Sequence, residues 1–346
     1  MATNINETSH RRYNILTGEW ILVSPHRTKR PWQGKQEDKA PLSTIDYDEN
    51  CYLCPGNERV GGEVNPDYKD TFIFQNDFAA ILNDEPGTFE DGLLKAEVET
   101  GICKVVCFSP NHSLTIPQMS VEGISKVIQL WKSEYETLGA MDGINYVQIF
   151  ENKGSIMGCS NPHPHGQIWS QRSIPGEIVK KSEKQTEYYK ATNRSLLGDY
   201  LKQELERGRE RILAENEDFV ALIPYWAVWP YEAMIVPKKH YQNISQLSES
   251  EMASYASILK ELTIMYDNLF EVSFPYSAGI HQSPTDGEDN EAWHFHMSFY
   301  PPLLRSATVK KFMVGYEMFA SPQRDITAEQ AAATLKALPK THYSIK

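Results

Sequence analysis

Two histidines on either side of a proline are the residues of this chain best suited to chemistry. His163, Pro164 and His165 lie in GCSNPHPHGQIW (158–169), and a second proline precedes His163. A proline holds the residue before it in extended geometry, and extended residues two apart share a face. We therefore expect His163, His165 and Gln167 to point the same way. A neutral imidazole in such a position can act as a nucleophile or as a metal ligand.

The segment before these histidines is expected to pair with them. NYVQIFENKG (145–154) alternates apolar and polar residues, as a half-buried strand does, and it ends in glycine. A short apolar stretch, Gln167 to Trp169, follows the histidines. The pattern predicts a hairpin whose tip carries Gly158, Cys159 and Ser160 and whose return strand carries imidazoles.

A pair of cysteines forms a second candidate site. Cys51 and Cys54 are separated by two residues and followed by a turn sequence. This spacing is typical of half a zinc site or of a redox pair, but a redox pair opens a helix and no helical period follows here. A tetrahedral site needs two further ligands, which the spacing alone does not identify. Cys103 and Cys107, in the strand-like CKVVCF, fit a buried core better.

Composition narrows the possible partners. The chain has 346 residues, a net charge of −12 and 40% hydrophobic residues. An acidic chain repels nucleic-acid polymers, although a few arginines in a cleft can bind a small phosphorylated molecule. Arg27 and Arg30 lie in a short basic stretch, which is either such a clamp or a solvated cluster. Five cysteines, a polar start and no apolar run of about 20 residues indicate a soluble cytoplasmic enzyme without membrane partners.

Two amphipathic helices are expected to build the core. One covers 120–140 with Ser120 as its N-cap. The other runs from about Glu249 to Phe270 and begins with a Ser248/Glu251 capping box. Residues 176–216 are charged and favour helices, so they are expected to connect the two halves of the chain.

The order of these elements indicates an internal duplication. Residues 105–120 and 234–249 each read as a strand, a proline, a histidine and a helix start. His112 precedes His163 by 51 residues, and His240 precedes His294 by 54. We therefore predict an α+β fold of two similar halves, 1–175 and 176–346, each with an antiparallel sheet and a long helix. The second half lacks the Ser-Asn-Pro-His-Pro-His loop, so catalysis is assigned to the first.

Three blocks of sequence resemble one family. RRYNILTGEWILVSPHRTKRPW (11–32), FENKGSIMGCSNPHPHGQIW (150–169) and YPPLLRSATVKKFMVGYEM (300–318) resemble the galactose-1-phosphate uridylyltransferases, a branch of the histidine-triad superfamily. The resemblance implies transfer of UMP from UDP-glucose to galactose 1-phosphate through a uridylyl-histidine. His165 would be the nucleophile, assisted by Gln167 and Ser160. The alternative is a histidine-triad hydrolase or a nucleotidyl phosphorylase acting on another sugar nucleotide.

The same resemblance assigns further residues. It completes a structural zinc site from Cys51, Cys54, His112 and His163. It places substrate contacts at Arg27, Arg30, Val60, Asn76, Asp77, Asn152, Gly158, Cys159, Ser160 and Gln167. It also implies a homodimer in which Lys311, Phe312, Val314, Tyr316, Glu317 and Gln323 reach the sugar in the other subunit. For Asn76 and Asp77 a turn-forming role is the competing interpretation.

A second metal site of the family is expected to be altered here. That site ordinarily binds iron through one glutamate and three histidines. His281 and His296 match two of the ligands, but Lys181 stands at the glutamate position and Ser298 at the last histidine. An ammonium repels a cation unless it deprotonates, and a serine hydroxyl is a poor neutral ligand. Partial substitution by His294, two residues before His296, or by Glu183 is the alternative.

Overall fold

The computed structural model describes residues 5, 7–29 and 44–345 of the chain. The strands are β1 (His10–Tyr13), β2 (Trp20–Val23), β3 (Phe72–Gln75), β4 (Thr88–Asp91), β5 (Leu94–Glu97), β6 (Gly101–Cys107), β7 (Tyr146–Lys153), β8 (His165–Gln171), β9 (Ile212–Glu215), β10 (Phe219–Leu222), β11 (Ala233–Pro237), β12 (Tyr276–His281), β13 (His296–Tyr300), β14 (Leu303–Ser306), β15 (Val309–Lys310) and β16 (Gln323–Arg324). The α-helices are α1 (Val121–Gly139), α2 (Gly176–Thr192), α3 (Leu196–Glu206), α4 (Glu249–Phe270), α5 (Tyr316–Phe319) and α6 (Ala328–Lys336).

One large sheet carries both halves of the fold. Within the described ranges it has nine strands in the order β3-β6-β8-β7-β12-β13-β11-β10-β9, and neighbouring strands are antiparallel. Read outward from the central β7–β12 pair, the first half runs β7, β8, β6, β3 and the second runs β12, β13, β11, β10. The expected duplicated α+β fold is confirmed, and the two copies join edge to edge.

The two long helices cover one face of this sheet. Ser120 caps α1 by accepting from the Gly123 amide, and Ser248 and Glu251 form the capping box of α4. Both helices therefore begin where the sequence predicts. Their apolar stripes pack on each other and on the sheet in one continuous core, in which Ile128 and Leu262 are fully buried.

A small sheet ties the ends of the chain together. β1 pairs with β2, and β16 adds to β2 in parallel. Behind it Arg12 is buried and forms a bidentate pair with Glu329 of α6, at 3.0 and 2.9 Å. α2 and α3 occupy most of the charged connection, as predicted. No α-helix in the described part of the chain is both long and apolar enough to cross a membrane.

Candidate functional site

The predicted hairpin is formed by β7 and β8, which pair antiparallel with Phe150 opposite Gln167. β8 begins at His165, so His163 lies in the loop before the strand rather than on it. Gly154 and Gly158 in this loop have φ of 90° and 81°. These left-handed conformations favour glycine, and they let the chain reverse sharply before the two histidines.

His163 points into a buried group of thiols and imidazoles. The ligand atoms of Cys51, Cys54, His112 and His163 all lie within 4.8 Å of one another. The sulfur of Cys54 is 3.5 Å from Nδ1 of both histidines. A tetrahedral metal with bonds of about 2.3 Å to sulfur and about 2.05 Å to nitrogen separates those atoms by about 3.5 Å. The geometry therefore fits a closed metal centre.

Neighbouring polar groups orient these ligands. Nε2 of His163 lies 2.9 Å from the Ser109 carbonyl, which can only accept, so Nδ1 carries the lone pair that faces Cys54. Asn161 accepts from the His163 amide at 2.9 Å, and its own amide lies 3.5 Å from the Cys51 sulfur. Burial raises the pKa of the Cys54 thiol to about 11. A coordinated cation reverses that effect, because a metal-bound thiol is deprotonated.

His165 is held as a neutral imidazole with one free nitrogen. Its Nδ1 donates to the His163 carbonyl at 2.7 Å, because a carbonyl cannot donate. The lone pair is therefore on Nε2. Burial also lowers the pKa of His165, which favours the neutral ring. The carbonyl that fixes His165 belongs to His163, so the buried cysteine–histidine group and His165 are directly connected.

Two cavities meet at His165. The first, of about 350 Å³, is the β3 cavity, which Val60, Asn76 and Asp77 line together with His165. The second, of about 320 Å³, is the loop cavity, lined among others by Asn152 and Cys159. Ser160 lines both cavities beside His165, whereas Gln167 lines only the first. The hairpin thus places His165 between two cavities.

Gln167 has a defined amide orientation. Nε1 of Trp169 donates to Oε1 of Gln167 at 3.0 Å. Because an indole nitrogen only donates, the amide oxygen must face Trp169. The two N–H groups of Gln167 are then directed away from Trp169 and are available for an anionic ligand.

Asn76 also serves the turn after β3. Its side chain accepts from the Phe78 amide at 2.9 Å, while Asn76 and Asp77 both line the β3 cavity. The turn-forming interpretation therefore holds for Asn76 without excluding a ligand contact.

The basic stretch and the late block lie elsewhere in the subunit. Arg27 forms an ion pair with Asp325 at 3.1 Å and lines neither cavity; Arg30 lies outside the described residues. Lys311 contacts Glu317 and the Gln323 carbonyl of its own chain. The remaining members of this block are at the surface, with Phe312, Val314 and Tyr316 exposed by 62%, 60% and 56%. The predicted site residues therefore form two groups within one chain.

The residues expected at a second metal site do not fit one. His281 and His296 are paired neighbours on β12 and β13. Neither belongs to a group of three or more potential ligands within the described residues. Lys181 lies beside them, with Nζ 3.4 Å from Nε2 of His296. The donor set lacks the carboxylate and the third imidazole that iron would require.

Two charged residues in the loop cavity were not expected from the sequence. Glu151 and Lys153 are buried at the inward positions of β7. Burial raises the pKa of Glu151 to about 7, and Lys153 pairs with Asp267 of α4 at 2.8 Å. The sequence signal that could have identified them is the presence of charged residues at the core-facing positions of an alternating strand.

A buried neutral histidine beside a group of two cysteines and two histidines, on a duplicated α+β sheet, is typical of the histidine-triad nucleotidyltransferases. Residues 1–175 match the N-terminal domain, and residues 181–346 the C-terminal domain, of the family described as galactose-1-phosphate uridyl transferase. The chain belongs to this family.

Known relatives and structures agree with this assignment. Galactose-1-phosphate uridylyltransferases of Haemophilus influenzae and Saccharomyces cerevisiae are 51% and 50% identical to this chain, and each match covers 97% of this chain and 96% of the relative. A solved uridylyltransferase structure is 25% identical with a TM-score of 0.75, covering 98% of this chain and all of the other. An ADP-glucose phosphorylase from Arabidopsis thaliana, 21% identical with a TM-score of 0.76, covers 96% of this chain and all of its own, and shares the fold.

Proposed function

We propose that this protein transfers UMP from UDP-glucose to galactose 1-phosphate. In the first step Nε2 of His165 attacks the α-phosphorus; an N–P bond forms and the bond to glucose 1-phosphate breaks. In the second step a phosphate oxygen of galactose 1-phosphate attacks the same phosphorus, and the N–P bond breaks to give UDP-galactose. Such a double displacement gives ping-pong kinetics.

The observation that carries this proposal is the 2.7 Å contact between Nδ1 of His165 and the His163 carbonyl. It fixes the tautomer, so the attacking nitrogen needs no deprotonation before attack. It also stabilises the positive charge that develops on the ring when Nε2 forms its bond to phosphorus, because the Nδ1–H is already hydrogen-bonded.

Gln167 fits transfer between two phosphates. A glutamine amide cannot protonate a leaving group, but it can donate a hydrogen bond to a phosphoryl oxygen. A sugar phosphate leaves without such a proton, since the second pKa of a phosphate monoester is about 6. Ser160 borders both cavities and is assigned as a donor to the departing or arriving phosphate.

The β3 cavity is assigned to the uridine. Asn76 and Asp77 offer short polar groups for ribose hydroxyls, and Val60 offers an apolar contact. In the loop cavity, Asn152 and Cys159 are assigned to the sugar phosphate. Gly158 contributes through the turn that positions Ser160. Arg27 and Arg30 are assigned as substrate contacts that form only in the assembled homodimer.

The metal cluster is assigned to structural zinc. Two thiols and two imidazoles in a closed buried group are the donors that zinc prefers. Bound there, zinc would supply a rigid fixing point for the loop, and His163 would pass that rigidity to His165 through its carbonyl.

We propose a homodimer whose sites are completed by the 311–323 block. Two further apolar residues of that block, Met318 and Phe319, are exposed by 70% and 89%. Contiguous exposed apolar side chains are typical of an interface. Free cysteines at all five positions favour a reducing cytoplasm. The boundary between the two halves is placed at residue 175, with catalysis in the first.

Subunit complementation tests the shared site. His165→Gly and Tyr316→Ala homodimers, each inactive, are unfolded together and refolded, and some mixed dimers should regain one complete site. Recovery of activity supports the proposal, whereas full activity of the wild-type protein as a monomer in sedimentation contradicts it.

A product assay tests the reaction. Incubation with UDP-glucose and galactose 1-phosphate should give UDP-galactose and glucose 1-phosphate in equal amounts, with parallel lines in double-reciprocal plots. His165→Gly should abolish both products while the circular dichroism spectrum is unchanged. UMP as the main product, with or without the sugar phosphate, would identify a hydrolase.

A further inference from the structure

The second half of the fold contains a counterpart of the nucleophile. β13 neighbours the central strand β12, as β8 neighbours β7. Nδ1 of His296 lies 2.9 Å from the His294 carbonyl, and Nδ1 of His165 lies 2.7 Å from the His163 carbonyl. His296 therefore also carries its lone pair on Nε2. In the first half, His165 lines two cavities.

In the second half a lysine occupies the corresponding position. Nζ of Lys181 is 3.4 Å from Nε2 of His296, and Lys181 is 5% exposed. Lys181 has no ion pair within 4.0 Å in the described part of the chain. Since Nε2 of His296 can only accept, the lysine amine donates to it.

The second imidazole of the pair is not engaged in the same way. The His281 ring stacks on His296 with ring centres 4.9 Å apart. Both nitrogens of His281 are buried, and the described residues provide no hydrogen-bond partner for either. Lys181 and His281 also line a cavity of about 500 Å³, together with Ser298. Space for a ligand therefore adjoins the pair on the side of His281.

We infer that the Lys181 amine takes the place of a second metal ion in this chain. Its N–H uses the lone pair that a metal would need, and its side chain fills the position from which a carboxylate would bind. The amine connects α2 to β13, as a shared ion would. Ser182 and Gln185 of α2 also hold the segment just before β13, since they accept from Nε1 of Trp293 and from the His294 amide, both at 2.9 Å.

This inference does not depend on the proposed reaction. It states that each subunit binds one metal ion, at the cysteine-containing cluster, and that Lys181 and Ser298 together exclude a second. Failure of the uridylyl transfer assay would leave it untouched. The measured quantities are therefore metal content and the spectrum of a bound probe ion.

Cobalt(II) titration tests the inference. Wild-type protein stripped of metal should bind one equivalent, with the intense thiolate-to-metal absorption expected of a site with two cysteines. Lys181→Glu combined with Ser298→His should bind a second equivalent without further thiolate absorption. The matched control, Lys181→Met combined with Ser298→His, restores the imidazole without a carboxylate and should bind the second ion at least tenfold more weakly.

Two results would overturn the inference. The first is a wild-type protein that binds a second equivalent and loses it on His281→Asn. The second is a Lys181→Glu, Ser298→His protein with a native circular dichroism spectrum and one equivalent only. The wild-type titration with its His281→Asn control decides the question even where the double variant does not fold.

Discussion

Replacing Gln167 by glutamate tests the assigned role of its amide. The two side chains have nearly the same shape, and one carboxylate oxygen can keep the 3.0 Å bond from Trp169. The other oxygen then stands where the amide N–H groups were. A donor to the phosphoryl group is replaced by a negatively charged acceptor, while packing is conserved.

The expected loss follows from one hydrogen bond to a charged group. Such a bond contributes about 1.5–3 kcal/mol, so kcat/KM should fall by about 10- to 150-fold. Repulsion between the carboxylate and the phosphates adds to this loss. Trp169→Phe is the matched control, since it keeps an aromatic ring against Phe150 and removes only the bond that orients the amide. The hydrogen bond lost in Trp169→Phe joins two neutral groups and contributes about 0.5–1.5 kcal/mol, so kcat/KM should fall by about 2- to 13-fold.

The assay measures kcat/KM for both half-reactions, with thermal unfolding to confirm that each variant is folded. Both half-reactions should slow in Gln167→Glu, because the same phosphoryl group is attacked in each. Activity within twofold of wild type would show that the amide does not contact the phosphoryl group. A larger loss in Trp169→Phe than in Gln167→Glu would contradict the assigned orientation.

Three further outcomes are expected. Burial alone would raise the pKa of Glu329, but Arg12 and Arg211 outweigh it and lower this pKa to about 2 from 4.5. Glu329 and its two arginines therefore contribute stability above about pH 4.5, on the order of 2–3 kcal/mol, which is lost as the pH falls toward 2. In urea unfolding between pH 7 and 3, the free energy of unfolding should depend less steeply on pH in Glu329→Gln than in the wild type. An unchanged dependence would refute the pairing. Cys54→Ser should reduce the zinc content measured by elemental analysis from about one equivalent to near zero and lower Tm, and retention of zinc would exclude this cluster as its site. Ser248→Ala should cost about 1 kcal/mol in urea unfolding through loss of the α4 cap, and a loss below a few tenths would contradict the capping role.

Much of the secondary structure could be predicted from the sequence because capping residues and apolar periodicity indicated the same elements. The α4 boundaries follow from a capping box and an apolar stripe, and both depend on residues within one turn of each other. The strand order could not be predicted in the same way. Pairing of β7 with β12 joins residues more than a hundred positions apart, and alternation within each strand is the same for any partner.

The site residues also differ in whether the local sequence predicts their arrangement. The Pro-His-Pro-His segment shows its chemistry directly, because two prolines and a fixed spacing constrain the backbone. The pairing of Lys153 with Asp267, or of Lys181 with His296, depends on which helix lies over which strand. Sequence spacing does not predict such contacts. A charged residue at an inward strand position does indicate that a buried partner is needed there.

The central claim is a uridylyl group carried by His165. Enzyme mixed with UDP-glucose labelled in the uridylyl group, without acceptor, should release glucose 1-phosphate in a burst of about one equivalent per site and retain the label. Peptide mapping should locate the label on His165, and galactose 1-phosphate should remove it far faster than water does. Label on another residue, no burst, or release of UMP in buffer at the same rate as with galactose 1-phosphate would contradict the account.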